Sequence, residues 1–170
     1  VILKYKDELA DSYYFISSDY SVTNCFLDKY HFYQMLQEYK IPHPKTFFPS
    51  SPDSLKDIVK HLGFPCIVKP ALSADFTADF KRKVFVAQTA DELKKYYTIA
   101  QKKHHRVLVQ EIIQSDERAV IDYTAYYDKK GSAQAVFTFQ RIRSYPHRFG
   151  TACFVEKVNI PELEPIVTNL

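Results

Sequence analysis

Two lysines and two arginines stand where a fixed positive charge can meet an anion. Lys69 closes the apolar run Phe64-Pro65-Cys66-Ile67-Val68, and Gln110-Glu111 closes a second run, Val107-Leu108-Val109. Short, partly β-branched runs of this kind suit strands covered on both faces, and a polar group at the mouth of such a strand is placed to meet a ligand. Lys29 falls in the first turn of a helix predicted from Asp28, where the helix dipole disfavours a cation. A local rule broken at a helix start can mark an anion site. Arg141 and Arg143, two apart on a predicted strand, share a face by the two-residue period, and paired guanidiniums suit bidentate capture of a phosphate or a carboxylate. Each placement also has a plainer explanation. A strand-end lysine or glutamate reaches water, and an exposed antiparallel strand carries cations to stay soluble. No residue offers itself as a nucleophile.

The elements that must position these groups follow from the pattern. Asp28 caps a helix whose Phe32, Met35, Leu36 and Tyr39 lie on one face, and Ile41-Pro42 stops it. Lys45 to Phe48 predicts a short strand. Ser51 as cap, Pro52 at the first helical position and the stripe Leu55, Ile58, Val59, Leu62 predict a second helix ending at Gly63. The strand carrying Lys69 comes next, then residues 71–82, ALSADFTADFKR, which predict a mobile loop. Val84 to Val86 predicts a hairpin partner for the Lys69 strand. Thr89 to Glu92 forms a capping box that opens a helix to about Lys103.

Beyond Glu111 the pattern turns to strands. Arg118 to Tyr127 and Ala133 to Arg143, joined by Asp128 to Gly131, predict an antiparallel pair. Thr151 to Val158 adds a third strand after SYPHRFG, and Asn159 to Glu162 starts a proline-led helix. The first two dozen residues lack periodicity and suggest the edge of a preceding unit, with a boundary near Asn24. A start at Val1 and a stop inside a helix at Leu170 predict an incomplete domain, a piece of a longer protein.

Composition narrows the class of protein. With 46% hydrophobic and 25% charged residues in 170, the chain has the make-up of a folded globular domain. No apolar run approaches the roughly twenty residues that cross a bilayer, so no membrane association is expected. The net charge of +3 is spread along the sequence, and no nucleic-acid surface is expected. Cys25, Cys66 and Cys153 show no metal-like spacing and suit reduced core thiols in a cytoplasmic protein. His104 and His105 are adjacent and diverge, so no metal is expected there.

The order of these motifs, DKY opening a helix, GFPCIVKP, a polar stretch, KVFVA, then VLVQEIIQSDE and an antiparallel sheet, resembles the ATP-grasp superfamily. QRIRSYPHRFG with CFVEKV is similar to the carboxylate-amine ligase branch in particular. The resemblance covers Asn24 onward and implies an α+β fold of two small subdomains with antiparallel sheets, here residues 24–106 and an incomplete 107–170, with residues 1–23 left over. It implies ATP held between them, with Lys29 and Lys69 on the phosphates. The run Gln110, Glu111, Ile112 and Ile113 would border the adenine, and Glu117, or its neighbour Asp116, would accept from the ribose. Arg141 and Arg143 would serve the reacting phosphate or carboxylate. The implied activity is ATP-dependent joining of a small carboxylate to an amine through an acyl phosphate, in the complete protein. The implied alternative is a nucleotide-binding or interaction domain that kept the fold and lost the chemistry. Two departures stand out: residues 71–82 have none of the glycines usual in that loop, and the Mg2+ ligands that the resemblance implies lie beyond Leu170.

Overall fold

The computed structural model describes residues 2–14, 18–147 and 149–168, apart from the side chain of Glu117. The chain separates into two compact units, Val1–Gln110 and Glu111–Leu170. The first begins with a 3-10 turn, Ile2–Tyr5, and two helices, α1 (Lys6–Leu9) and α2 (Tyr20–Leu27). Asn24, expected near a boundary, lies inside α2, so the chain is helical through that point.

Helix α3 (Lys29–Glu38) starts at Asp28, whose extended backbone lets Oδ1 accept from Tyr30 N–H at 2.9 Å. Its end is fixed by Lys40 at φ 55° and by the Ile41 N–H, which donates to the Leu36 carbonyl. That is the six-to-one closure of a Schellman turn, made with a lysine where glycine is usual. Strand β1 (Thr46–Phe47) follows, then α4 (Leu55–Leu62), which starts three residues later than Ser51-Pro52 suggests. Ser51 and Ser54 bond each other reciprocally, Ser54 Oγ donating to the Ser51 carbonyl at 2.7 Å. This tight local turn holds Pro52 outside the helix. Gly63, at φ 70°, ends α4 as expected.

Strand β2 (Cys66–Pro70) pairs antiparallel with β3 (Phe85–Ala87), with Cys66 opposite Ala87 and Val68 opposite Phe85. Between them lies helix α5 (Ser73–Phe80), where a mobile loop was expected. The helix exists because Phe76 is fully buried among Phe80, Phe85 and His105, with ring centroids 4.7 to 5.3 Å away. Phe80 is one turn along the same helix, but Phe85 belongs to β3 and His105 to the turn after the next helix, so tertiary contact overrides a weak local signal. Helix α6 (Ala90–Lys102) opens with Thr89 Oγ1 accepting from Glu92 N–H. Glu92 reaches back to Gln88 N–H, one residue beyond the capping box predicted from sequence.

Strand β4 (Val107–Glu111) completes a sheet of order β1-β4-β2-β3, with Thr46 of β1 opposite Gln110. Alternation along the strands divides two clusters. Cys66, Val68, Val107 and Val109 pack against α4, α5 and α6, while Leu108 packs with Tyr33 and Leu36 of α3. Lys69 and Gln110 therefore share the α3 face.

In the second unit, β5 (Ile121–Tyr127), β6 (Ala133–Tyr145) and β7 (Thr151–Lys157) form an antiparallel meander. A 3-10 turn, Glu117–Ala119, precedes it; a second, Pro161–Leu163, and α7 (Glu164–Val167) follow. The first hairpin turn is organised by Asp128, whose Oδ1 accepts from the N–H groups of Lys130 and Ser132. The second requires Gly150, where an added Cβ would lie 2.0 Å from the Pro146 carbonyl oxygen. Of the cysteines only Cys66 is a core thiol, raised to about 11 by burial; Cys153 is exposed and Cys25 intermediate. Among the described residues no helix is long and apolar enough to cross a membrane.

Candidate functional site

The α3 face of the first unit gathers two ammonium groups. Lys69 Nζ donates to Tyr33 Oη at 3.0 Å and to Gln110 Oε1 at 2.9 Å, and lies 5.2 Å from the centroid of the Tyr33 ring. Both acceptors are neutral, so two of the three N–H groups are fixed in direction while the charge is left uncompensated. Lys29, the first residue of α3, donates from Nζ to Ser73 Oγ at 2.7 Å and from its backbone N–H to the Ala71 carbonyl at 3.1 Å. Among the described residues neither ammonium forms an ion pair with a carboxylate.

The two charges feel each other. Partial burial depresses the Lys29 pKa below its ordinary value, the nearby Lys69 charge lowers it further, and Asp28 opposes both. A half-buried cation beside a second cation is held against its electrostatic preference, and an anion placed on the pair relieves that cost. Since the folded pKa is the lower one, the unfolded chain holds more protons above it. Stability then rises with pH between the folded value and the ordinary lysine value. Inorganic triphosphate bound on the pair raises the Lys29 pKa, so binding in that alkaline window takes up protons. Calorimetry in two buffers of different ionisation enthalpy should give different apparent binding enthalpies for the native chain and a smaller difference for Lys29→Met. Equal enthalpies for the native chain would show that Lys29 does not meet the anion.

The supports of the pair include residues that sequence reasoning missed. Arg106 Nη2 donates to Asp28 Oδ2, and its guanidinium lies 5.8 Å from the Tyr30 ring centroid. Asp28 thus caps α3 with one oxygen and pairs with Arg106 through the other, bracing the turn that carries Lys29. Gln110 is 3% exposed; its Nε2 donates to Thr46 Oγ1 at 2.6 Å, and Thr46 Oγ1 donates to the Pro44 carbonyl at 2.7 Å. Tyr33, Thr46, Ser73 and Arg106 all act across long sequence separations. Asp28, visible only as a cap, gave no sign of its partner.

The other predicted residues lie in or beside the second unit. Glu111 ends β4, Ile112 is half-buried and Ile113 is 64% exposed. Asp116 Oδ1 accepts from Arg118 N–H at 2.6 Å, so this carboxylate caps the 3-10 turn. The Glu117 side chain and Arg148 lie outside the described residues, as does Leu170. Arg141 and Arg143 do not form the expected pair. Register shifts between them, with Arg141 opposite Val155 and Arg143 opposite Phe154, so the simple alternation is broken by a bulge. Arg141 is engaged bidentately by Asp122 at 2.5 and 2.7 Å, which raises its pKa, while Arg143 is exposed. His105 bonds Asp79 at 2.8 Å, and no group of three or more His, Cys, Asp or Glu among the described residues is placed to hold a metal.

Comparison with known proteins assigns the chain to a family. The sequence model of the family described as the RimK-like ATP-grasp domain matches residues 27–125, more than half of the chain. A D-aspartate ligase of Enterococcus faecium is 26% identical over 139 residues, which are 76% of this chain and 32% of that protein. Carboxyaminoimidazole ribonucleotide synthase of Aspergillus clavatus, solved with ATP, superposes with a TM-score of 0.62 at 15% identity, covering 85% of this chain and 36% of that one. A RimK domain ATP-grasp protein of Sphaerobacter thermophilus gives a TM-score of 0.57 at 13% identity, covering 89% and 51%. At these identities the structural likeness is one of fold. The chain spans a third or less of the length of the curated relatives it matches.

Proposed function

Since the chain belongs to the RimK-like ATP-grasp domain family, we propose that it binds ATP, with the phosphates on Lys29 and Lys69, as part of a ligase joining a carboxylate to an amine. The observation that carries this reading is the pair of ammonium groups, held by neutral oxygens and ion-paired with no carboxylate among the described residues. Each charge-assisted hydrogen bond to a phosphate oxygen contributes about 1.5–3 kcal/mol. The backbone of Glu111, Ile112 and Ile113 offers donors and acceptors of the kind that match a purine edge, and Glu117 is the proposed acceptor for the ribose hydroxyls, with Asp116 already committed to its turn.

In the proposed reaction a substrate carboxylate oxygen attacks the terminal phosphorus of ATP, the bond to the bridging oxygen breaks, and ADP leaves. The amine nitrogen then attacks the acyl carbon, phosphate leaves and the amine gives up a proton, giving an amide. Lys29 and Lys69 hold the phosphate chain and stabilise charge that develops on it, which is positioning and electrostatic work that needs no protein nucleophile. Arg143, exposed, is the freer of the two arginines for the reacting groups; Arg141 would first have to leave Asp122. Among the described residues no three carboxylate, histidine or cysteine side chains gather to hold a magnesium ion by themselves.

The experiment compares ATP with inorganic triphosphate by titration calorimetry. Both meet the lysines, and only ATP meets a purine and ribose site, so ATP should bind at least about tenfold more tightly. Equal affinities would contradict the nucleotide reading. The glycine-free α5 favours a second reading, a nucleotide-binding domain without chemistry. The two readings agree on ATP binding and part on turnover.

A further inference from the structure

We propose that Thr46 is a positioning residue for Lys69, acting through the side-chain amide of Gln110. The inference rests on the reading of Lys69 as a phosphate ligand. Thr46 has one hydroxyl proton, and it is committed to the Pro44 carbonyl oxygen at 2.7 Å, an atom that can only accept. The Thr46 oxygen is therefore an acceptor toward Gln110, whose Nε2 lies 2.6 Å away. That fixes which way the amide points. Its NH2 faces Thr46, and its carbonyl oxygen faces Lys69 Nζ at 2.9 Å.

The opposite orientation would set NH2 against an ammonium that has donors alone, and the carbonyl oxygen against a threonine oxygen whose one proton is already given to Pro44. Gln110 is buried at 3% exposure, so bulk water does not ease such a flip. The backbone ladder holds both ends of the relay, since Thr46 and Gln110 are direct partners in the antiparallel β1-β4 pair. With Tyr33 Oη accepting from the same ammonium, two fixed oxygens define where Lys69 stands and leave one N–H for a phosphate oxygen. A hydroxyl on a two-residue strand, 64 residues before Gln110, thereby sets the direction of the charge.

Thr46→Val keeps the shape and removes the hydroxyl, so Gln110 loses its fixed acceptor. Thr46→Ser restores the oxygen. Titration of ATP into the folded variants, with thermal unfolding recorded for each, should show Thr46→Val weakened by about fivefold to tenfold and Thr46→Ser within about twofold of the native chain. Combined with Lys69→Ala, Thr46→Val should add no further loss, because the residue it positions is gone. Should the valine variant fail to fold, Thr46→Ala supplies the same comparison. Native affinity in the variant lacking the hydroxyl, or the same loss with and without Lys69, would overturn the positioning role. Unchanged affinity in Lys69→Ala would instead overturn the phosphate reading on which this inference rests.

Discussion

Phe76→Ala lowers the unfolding free energy of the chain by roughly 3–5 kcal/mol, the cost of emptying a closed aromatic site. Phe76 is fully buried, with Phe80, Phe85 and His105 around it, and the Phe85 ring stacks in turn on Tyr96 at 4.7 Å. Its contacts fasten α5 to β3 and to the turn after α6. A second fastening joins His105 to Asp79 near the end of α5. The neighbours are rings already packed against other elements, so the site cannot collapse onto the vacancy and the loss falls in the upper part of the range for core truncations. Ser73, the partner of Lys29, is the first residue of the same helix, so loosening α5 also frees that ammonium. Urea unfolding of the native chain, Phe76→Ala and Phe76→Leu measures the effect, with the leucine variant expected between the other two. A loss below about 1 kcal/mol for the alanine variant would mean that residues 71–82 are the mobile loop their sequence suggests, since surface loop substitutions cost that little.

The contrast between α5 and its neighbours shows which parts of the fold the sequence carried. The strands ending at Lys69 and Gln110 were legible because burial on both faces leaves a continuous apolar run, and the change to a polar residue marks the exit. Asp28 and Gly63 were legible because a cap and a positive-φ stop are local requirements. Helix α5 was hidden because its anchor Phe76 is closed in by Phe85 of the paired strand and by His105 beyond the next helix, contacts that helical periodicity does not show. The face shared by Arg141 and Arg143 was misjudged because a bulge changes the two-residue count without leaving a glycine or proline to announce it.

The lysines themselves show the same division. Lys69 and Lys29 were each conspicuous, one at a strand mouth and one at a helix start that disfavours it. What joins them is spatial. Arg106 with Asp28, 78 residues apart, and Thr46 with Gln110 are pairs across the sheet edge and the helix start that a single sequence does not reveal.

Lys69→Met should weaken ATP binding by about tenfold or more, and the double variant Lys29→Met, Lys69→Met by about a hundredfold, with the loss of one charge-assisted bond per lysine. Methionine is chosen because it keeps an unbranched stem beside Tyr33 while removing the ammonium. The charge makes the difference. In the native chain both lysines are already gathered and half-buried, so part of the cost of placing them is met before the nucleotide arrives. Removing Lys69 also lifts one of the influences that depress the Lys29 pKa. In the single variant Lys29 should therefore take up fewer protons on binding. Titration of ATP into the native chain and Lys69→Met, each verified as folded by its unfolding curve, tests the central claim directly. The account predicts an affinity reduced about tenfold or more with a cooperative unfolding transition retained. Native affinity in a folded Lys69→Met variant would contradict it.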